Sequence, residues 1–136
     1  MIDKEIIKIA SNTEKHGVLD NHTHFSKLKN AICGDEMKVY LIVKNNKIIN
    51  FKYECESCIY CQASVSLLSR KAKSKSIEKV KNFAEQAKNY FDKSSKSRDK
   101  EWKEFDMIMT KNNISRKECL LLPLNTTLDA LNKKSL

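Results

Sequence analysis

Met37-Lys38-Val39-Tyr40-Leu41-Ile42-Val43-Lys44-Asn45-Asn46-Lys47-Ile48-Ile49-Asn50-Phe51-Lys52-Tyr53-Glu54-Cys55 reads as two strands around a two-residue break. Met37, Val39, Leu41 and Val43 alternate with Lys38, Tyr40, Ile42 and Lys44, and Ile49, Phe51, Tyr53 and Cys55 alternate on the return, the period of half-buried strands. Asparagine tolerates the left-handed backbone of a tight turn, so Asn45-Asn46 predicts an antiparallel hairpin. From Ser57 the period lengthens. Ser57 is the expected cap of a helix running to about residue 73, with Cys61, Val65, Leu68 and Ala72 on one face at i, i+4, i+7 and i+11.

Working outward, residues 2–10 carry apolar side chains at helical spacing, and residues 18–30 alternate weakly, as an edge strand does. After the hairpin and its helix, Ile77, Val80, Ala84, Ala87 and Phe91 predict a second helix. Residues 92–100 form a charged, serine-rich stretch expected to be a mobile loop. Trp102, Phe105 and Met109 suggest a short helix. Ser115-x-x-Glu118 then reads as a capping box for a C-terminal helix in which Pro123 introduces a kink and Leu124, Leu128 and Leu131 continue the apolar stripe. No repeat is present.

The chain has 136 residues, 40% of them hydrophobic, which suits one domain over 1–136 with one modest core. No apolar run approaches 18 residues, and the N-terminus has neither a secretory n-region nor the composition of a transit peptide, so the expected location is cytoplasmic, away from membranes. The net charge of +9 raises nucleic acid as a partner, but the lysines are dispersed and no aromatics are interleaved to stack bases. A solvated basic surface that helps dock an acidic partner is the better reading.

Five cysteines, an odd number with three between 55 and 61, make no disulfide framework and point to metal or sulfur chemistry in a reducing compartment. Cys33, Cys58 and Cys119 lie 25 and 61 residues apart, so only a folded domain brings them together. With Asp35 they offer three thiolates and a carboxylate, a tetrahedral donor set. Gly34 between Cys33 and Asp35 permits a ligand turn. Cys58 and Cys119 fall at helix starts, where free N–H groups and the dipole favour thiolates. Cys55 and Cys61 lie on apolar alternation and read as packing residues with at most an accessory role. His22 and His24 share a strand face and could ligate, yet an exposed polar strand explains them as well. Cys55-x2-Cys58-x2-Cys61 begins like a ferredoxin motif, but position 65 is valine and position 66 serine. A zinc ribbon needs two CxxC pairs, and no glycine-rich phosphate loop or Ser/His/Asp constellation can be assembled.

Cys33-Gly34-Asp35, the segment from Cys58 to Ala63-Ser64, and Arg116 to Cys119 followed by Leu122-Pro123-Leu124 resemble the three ligand motifs of the NifU/IscU/SufU family of iron–sulfur cluster assembly proteins. Residues 12–19, reading N-x4-G-x-L, extend the resemblance to nearly the whole chain. It implies an α+β fold, a small three-stranded antiparallel sheet covered by helices on one face, with the site at one exposed end. It also implies a cysteine desulfurase as sulfur donor, downstream cluster-acceptor or scaffold proteins as recipients, and zinc or a [2Fe–2S] cluster held by Cys33, Asp35, Cys58 and Cys119. Such a chain is a scaffold or sulfur carrier rather than an enzyme in the ordinary sense. The persulfide acceptor is Cys33 in the zinc-relay branch or Cys119 in the cluster-scaffold branch. The long interval from 58 to 119 resembles the SufU-like branch and favours Cys33, while the sequence TKNNISRK where a chaperone-recognition motif is expected and Glu118 in place of histidine speak against chaperone-dependent cluster release and a simple scaffold. The competing class is a structural zinc module used only for protein interaction.

Overall fold

The computed structural model describes residues 4–91 and 100–133. Three strands, β1 (His24–Lys29), β2 (Glu36–Lys44) and β3 (Lys47–Glu56), form one antiparallel sheet in the order β1-β2-β3. Helix α1 (Lys4–Ala10) precedes the sheet, and α2 (Ile59–Ala72), α3 (Ile77–Gln86) and α4 (Lys117–Asn132) follow it. The architecture is α+β: α2 and α4 pack on the sheet, while α1 and α3 pack on those two helices.

Met37, Val39 and Leu41 of β2 are fully buried beneath the helices with Phe51 of β3, in one core cluster with Val65, Leu68, Leu120 and Leu124. The opposite sheet face carries rings in mutual contact, His22, Phe25 and Tyr40, the last donating its hydroxyl proton to Glu54 (2.7 Å). At the hairpin turn Asn45 and Asn46 have φ of 54° and 62°, the two successive positive values of a type I′ turn.

The return strand departs from the expected alternation. Ile42 pairs with Asn50 but Val43 with Ile48, so Ile49 is the extra residue of a bulge. Ile48 therefore points inward at 0% exposure and Ile49 outward at 43%. A bulge shifts side-chain phase by one residue, which simple alternation does not register.

Other boundaries also differ from the sequence reading. The α2 cap is Cys58, without a side-chain cap bond, and not Ser57. The expected Ser115–Glu118 capping box is not formed: a 3-10 segment, Lys111–Arg116, runs directly into α4 with Arg116 in the cap position, so the helix start is reached through another helix. The helix expected through Phe91 ends at Gln86 and continues as a short 3-10 turn, and the Trp102–Phe105 segment is likewise 3-10 (Lys100–Met107). Pro123 lies inside one continuous α4. The mobile-loop expectation for 92–100 falls, apart from Lys100, outside the described residues.

Candidate metal centre

Cys33 sits in the turn between β1 and β2. Asn30 folds this turn: its N–H donates to the Asp35 carbonyl (2.7 Å), its carbonyl accepts from Gly34 N–H (2.7 Å), and its side-chain oxygen accepts from Ile32 N–H (2.9 Å). Gly34 has φ of +77°, a conformation costly for a residue with a Cβ. The turn leaves Cys33 exposed and Ile32 86% exposed, while Asp35, at the mouth of β2, is 7% exposed.

Cys58 joins β3 to α2, and its backbone N–H donates to Asp35 Oδ1 at 3.3 Å. The other carboxylate oxygen, Oδ2, is buried with no hydrogen-bond partner. A buried polar atom left unpaired costs about 1–3 kcal/mol, and more when charged, a cost that a cation bound beside it would relieve.

Cys119 is the third residue of α4 and 5% exposed. The Ser64 hydroxyl of α2 donates to the Leu120 carbonyl (2.7 Å), fixing the first turn of α4 against α2. Pro123, four residues on, has no N–H to offer the Cys119 carbonyl, so that carbonyl lacks the usual intrahelical donor.

These elements bring Cys33, Asp35 and Cys119 together, with one donor atom from each lying within 4.8 Å of the others. Cys33 Sγ and Cys119 Sγ are 3.7 Å apart. Two sulfurs each about 2.3 Å from one tetrahedral ion stand about 3.8 Å apart, so this pair already has the edge length of a tetrahedral thiolate site. The residues fit a cation. Cys58 lies outside that group of three, but its thiol faces Cys119 closely enough to influence it.

Burial, then the neighbouring thiols of Cys58 and Cys33, then the Asp35 carboxylate push the Cys119 thiol well above its ordinary range. A helix start by itself favours a thiolate; here desolvation and the adjoining sulfur and carboxylate groups outweigh the dipole in the metal-free chain. A cation at these atoms would reverse that balance.

The other sequence candidates lie elsewhere. His22 Nδ1 contacts the Leu19 carbonyl (2.7 Å) and His24 Nδ1 the Thr23 hydroxyl (2.9 Å), and the donor cluster found among the described residues contains no histidine. Cys61 is fully buried in the core and Cys55 packs against it; burial pushes both thiols up. One feature of the site has no signal in the sequence: the Arg116 guanidinium stands 5.3 Å over the Tyr60 ring, joining the Cys119 and Cys58 segments. Two residues so far apart in sequence share no period or motif.

The profile of the NifU-like N terminal domain family matches residues 1–101, a span that includes Cys33, Asp35 and Cys58 and stops before Cys119. The chain is 29% identical over 135 residues to the iron–sulfur cluster assembly scaffold protein IscU of Thermotoga maritima, covering 99% of this chain and 95% of that one. Its fold superposes with a TM-score of 0.82 on the SUF-system protein FiSufU of Fervidobacterium islandicum AW-1, at 26% identity and 96% coverage of both chains. The NifU-like protein (N-terminal) of Brucella abortus gives the same TM-score at 20% identity, covering 95% of this chain and 90% of that one.

Proposed function

Because the chain belongs to the NifU-like N-terminal domain family, we propose that it is an iron–sulfur cluster assembly protein, taking persulfide sulfur from a cysteine desulfurase at a centre made of Cys33, Asp35, Cys58 and Cys119. The observation that carries this reading is the convergence of Cys33, Asp35 and Cys119 donor atoms within 4.8 Å, beside a buried carboxylate oxygen that nothing else satisfies.

The residues divide the work by exposure. Cys33, on the exposed turn, is the sulfur acceptor, since a desulfurase must bring its own persulfide sulfur into contact with it. Asp35 holds its place through the Cys58 N–H and offers a carboxylate oxygen to the centre. Cys119, beneath Cys33, and Cys58, at the α2 cap, complete the sulfur donors. Zinc at these atoms would keep the thiols ionised and ordered between sulfur transfers; a [2Fe–2S] cluster would be cargo on the same donors. The recipients are then downstream cluster-acceptor or scaffold proteins. The whole chain 1–136 acts as a single domain in this reading, working in the cytoplasm. Among the described residues no helix is long and apolar enough to cross a membrane.

Exposure of Cys33 favours sulfur acceptance over a purely structural zinc module, because a partner's persulfide sulfur can reach an exposed thiol. The test is to incubate the protein with a cysteine desulfurase and L-cysteine, trap persulfide by alkylation and map it by mass spectrometry. The expected adduct is on Cys33, with a cysteine-dependent rise in desulfurase turnover. Labelling on Cys119 alone would replace the relay with a scaffold, and labelling only on Cys55 or Cys61 would refute the assigned site.

A further inference from the structure

Cys33 and Cys119 are in sulfur–sulfur contact at 3.7 Å, one exposed and one 5% exposed behind it. Sulfur delivered as persulfide is two electrons more oxidised than the sulfide a cluster contains, so a reductant must act before sulfide is available. Resting on the reading of Cys33 as acceptor, we propose that Cys119 is the resolving thiol: its sulfur attacks Cys33 Sγ, a Cys33–Cys119 disulfide forms, and the terminal sulfur leaves as hydrogen sulfide.

The balance closes without an outside oxidant. The S–S bond between Cys33 and the terminal sulfur breaks and the S–S bond between Cys33 and Cys119 forms; the Cys119 proton passes to the adjoining Asp35 carboxylate as the sulfur attacks, while solvent protonates the leaving sulfide and takes the proton back from Asp35. One persulfide and one thiol give one disulfide and one molecule of hydrogen sulfide. The terminal sulfur gains the two electrons that the two cysteine sulfurs lose. Two equivalents of a low-molecular-weight thiol then return the disulfide to two thiols.

The geometry suits attack on the inner sulfur. Thiol–disulfide exchange proceeds in line, so with Cys119 beneath Cys33 the departing sulfur must point away from it, toward the side on which Cys33 is exposed. Closing the pair from 3.7 Å to the S–S bond length of about 2.05 Å requires a movement of under about 2 Å. The exposed Cys33 side has room for it. The Cys33 turn is exposed from Ala31 to Gly34, with nothing within 4 Å of the Gly34 Cβ position, and the α4 backbone at Cys119 lacks its i+4 bond because of Pro123. Cys58 is placed less well, with its N–H tied to Asp35 and its thiol outside the convergent group of three.

The test uses the full chain stripped of metal by chelation, under anaerobic conditions and without added thiol. A cysteine desulfurase is charged with L-cysteine, freed of the excess and mixed with wild-type protein, Cys119→Ala, Cys119→Ser and Cys55→Ser, each checked for folding by circular dichroism. Released sulfide is assayed, and peptides are mapped before and after reduction. Wild type and Cys55→Ser should release one sulfide per Cys33–Cys119 disulfide, whereas both Cys119 variants should hold persulfide on Cys33 and release none. Stable persulfide on Cys33 in the wild type, with no disulfide, would overturn the resolving role and leave the acceptor reading intact. A disulfide between Cys33 and Cys58 would also overturn it. Absence of sulfur from Cys33 in the folded Cys119 variants would overturn the acceptor reading, and this inference with it.

Discussion

The aromatic cluster beside α3 and the cysteine cluster at the β1–β2 turn both gather residues distant in sequence, but only the first completes itself. Phe83 stacks on Trp102 with centroids 4.1 Å apart and nearly parallel planes, and Phe105 and Tyr90 close around Phe83. Lys79 pairs with Glu101, and Lys71 with Glu104, across the same packing. In the cysteine cluster the protein supplies convergent donors and leaves Asp35 Oδ2 without a partner. One region is held by groups that satisfy one another, and the other leaves a buried carboxylate oxygen that its own groups do not pair.

That contrast predicts effects of different kind and size. Phe105→Ala, at a fully buried position, should cost about 3–5 kcal/mol in urea denaturation while the folded fraction still binds zinc normally. A loss of zinc stoichiometry in that folded fraction would mean the two regions are not independent. Zinc should act on the other region: at a thousandfold excess over its dissociation constant it should stabilise the wild type by about 4 kcal/mol. This gain should be markedly smaller in Cys33→Ser at the same zinc concentration, as followed by thermal melting. An unchanged melt with zinc demonstrably bound would argue against a cation that ties the turn to α4.

A third expectation has opposite signs in the two states. Asp35→Asn removes a buried carboxylate with one unpaired oxygen, so the metal-free protein should gain about 1 kcal/mol. Its zinc affinity, read by chelator competition, should fall by about tenfold or more. Destabilisation of the metal-free form would show that the carboxylate is already satisfied. The smallest effect concerns the hairpin. Ile49→Ser, at the exposed bulge position, should change stability by less than about 0.5 kcal/mol. Ile48→Ala should cost about 2–5 kcal/mol, and a reversal of that ranking would contradict the bulge.

Sequence patterns are informative where local chemistry decides structure. Asn45-Asn46 can take positive φ, and Met37, Val39 and Leu41 can face a core only in one register, so the hairpin is readable residue by residue. The family resemblance supplies the three-stranded sheet with its helical cover, and the ligand motifs mark Cys33, Asp35, Cys58 and Cys119, of which the fold places Cys33, Asp35 and Cys119 within 4.8 Å of one another and leaves Cys58 outside that group. The phase shift at Ile49 is not readable, because a bulge is decided by how two strands meet. Nor is the start of α4: a 3-10 segment merging into the helix makes Ser115 irrelevant as a cap. The raised Cys119 thiol escapes for the same reason, since its cause is burial against groups from two other segments and not its position in a helix.

X-ray absorption at the zinc edge of the zinc-loaded full chain tests the central claim most directly, because it counts the donors. The account predicts three sulfurs at about 2.3 Å and one oxygen at about 2.0–2.2 Å, with one sulfur lost in Cys33→Ser and the oxygen lost in Asp35→Ala. Four sulfurs in the wild type, or a sulfur count unchanged by Cys33→Ser, would contradict a centre built from Cys33, Asp35, Cys58 and Cys119.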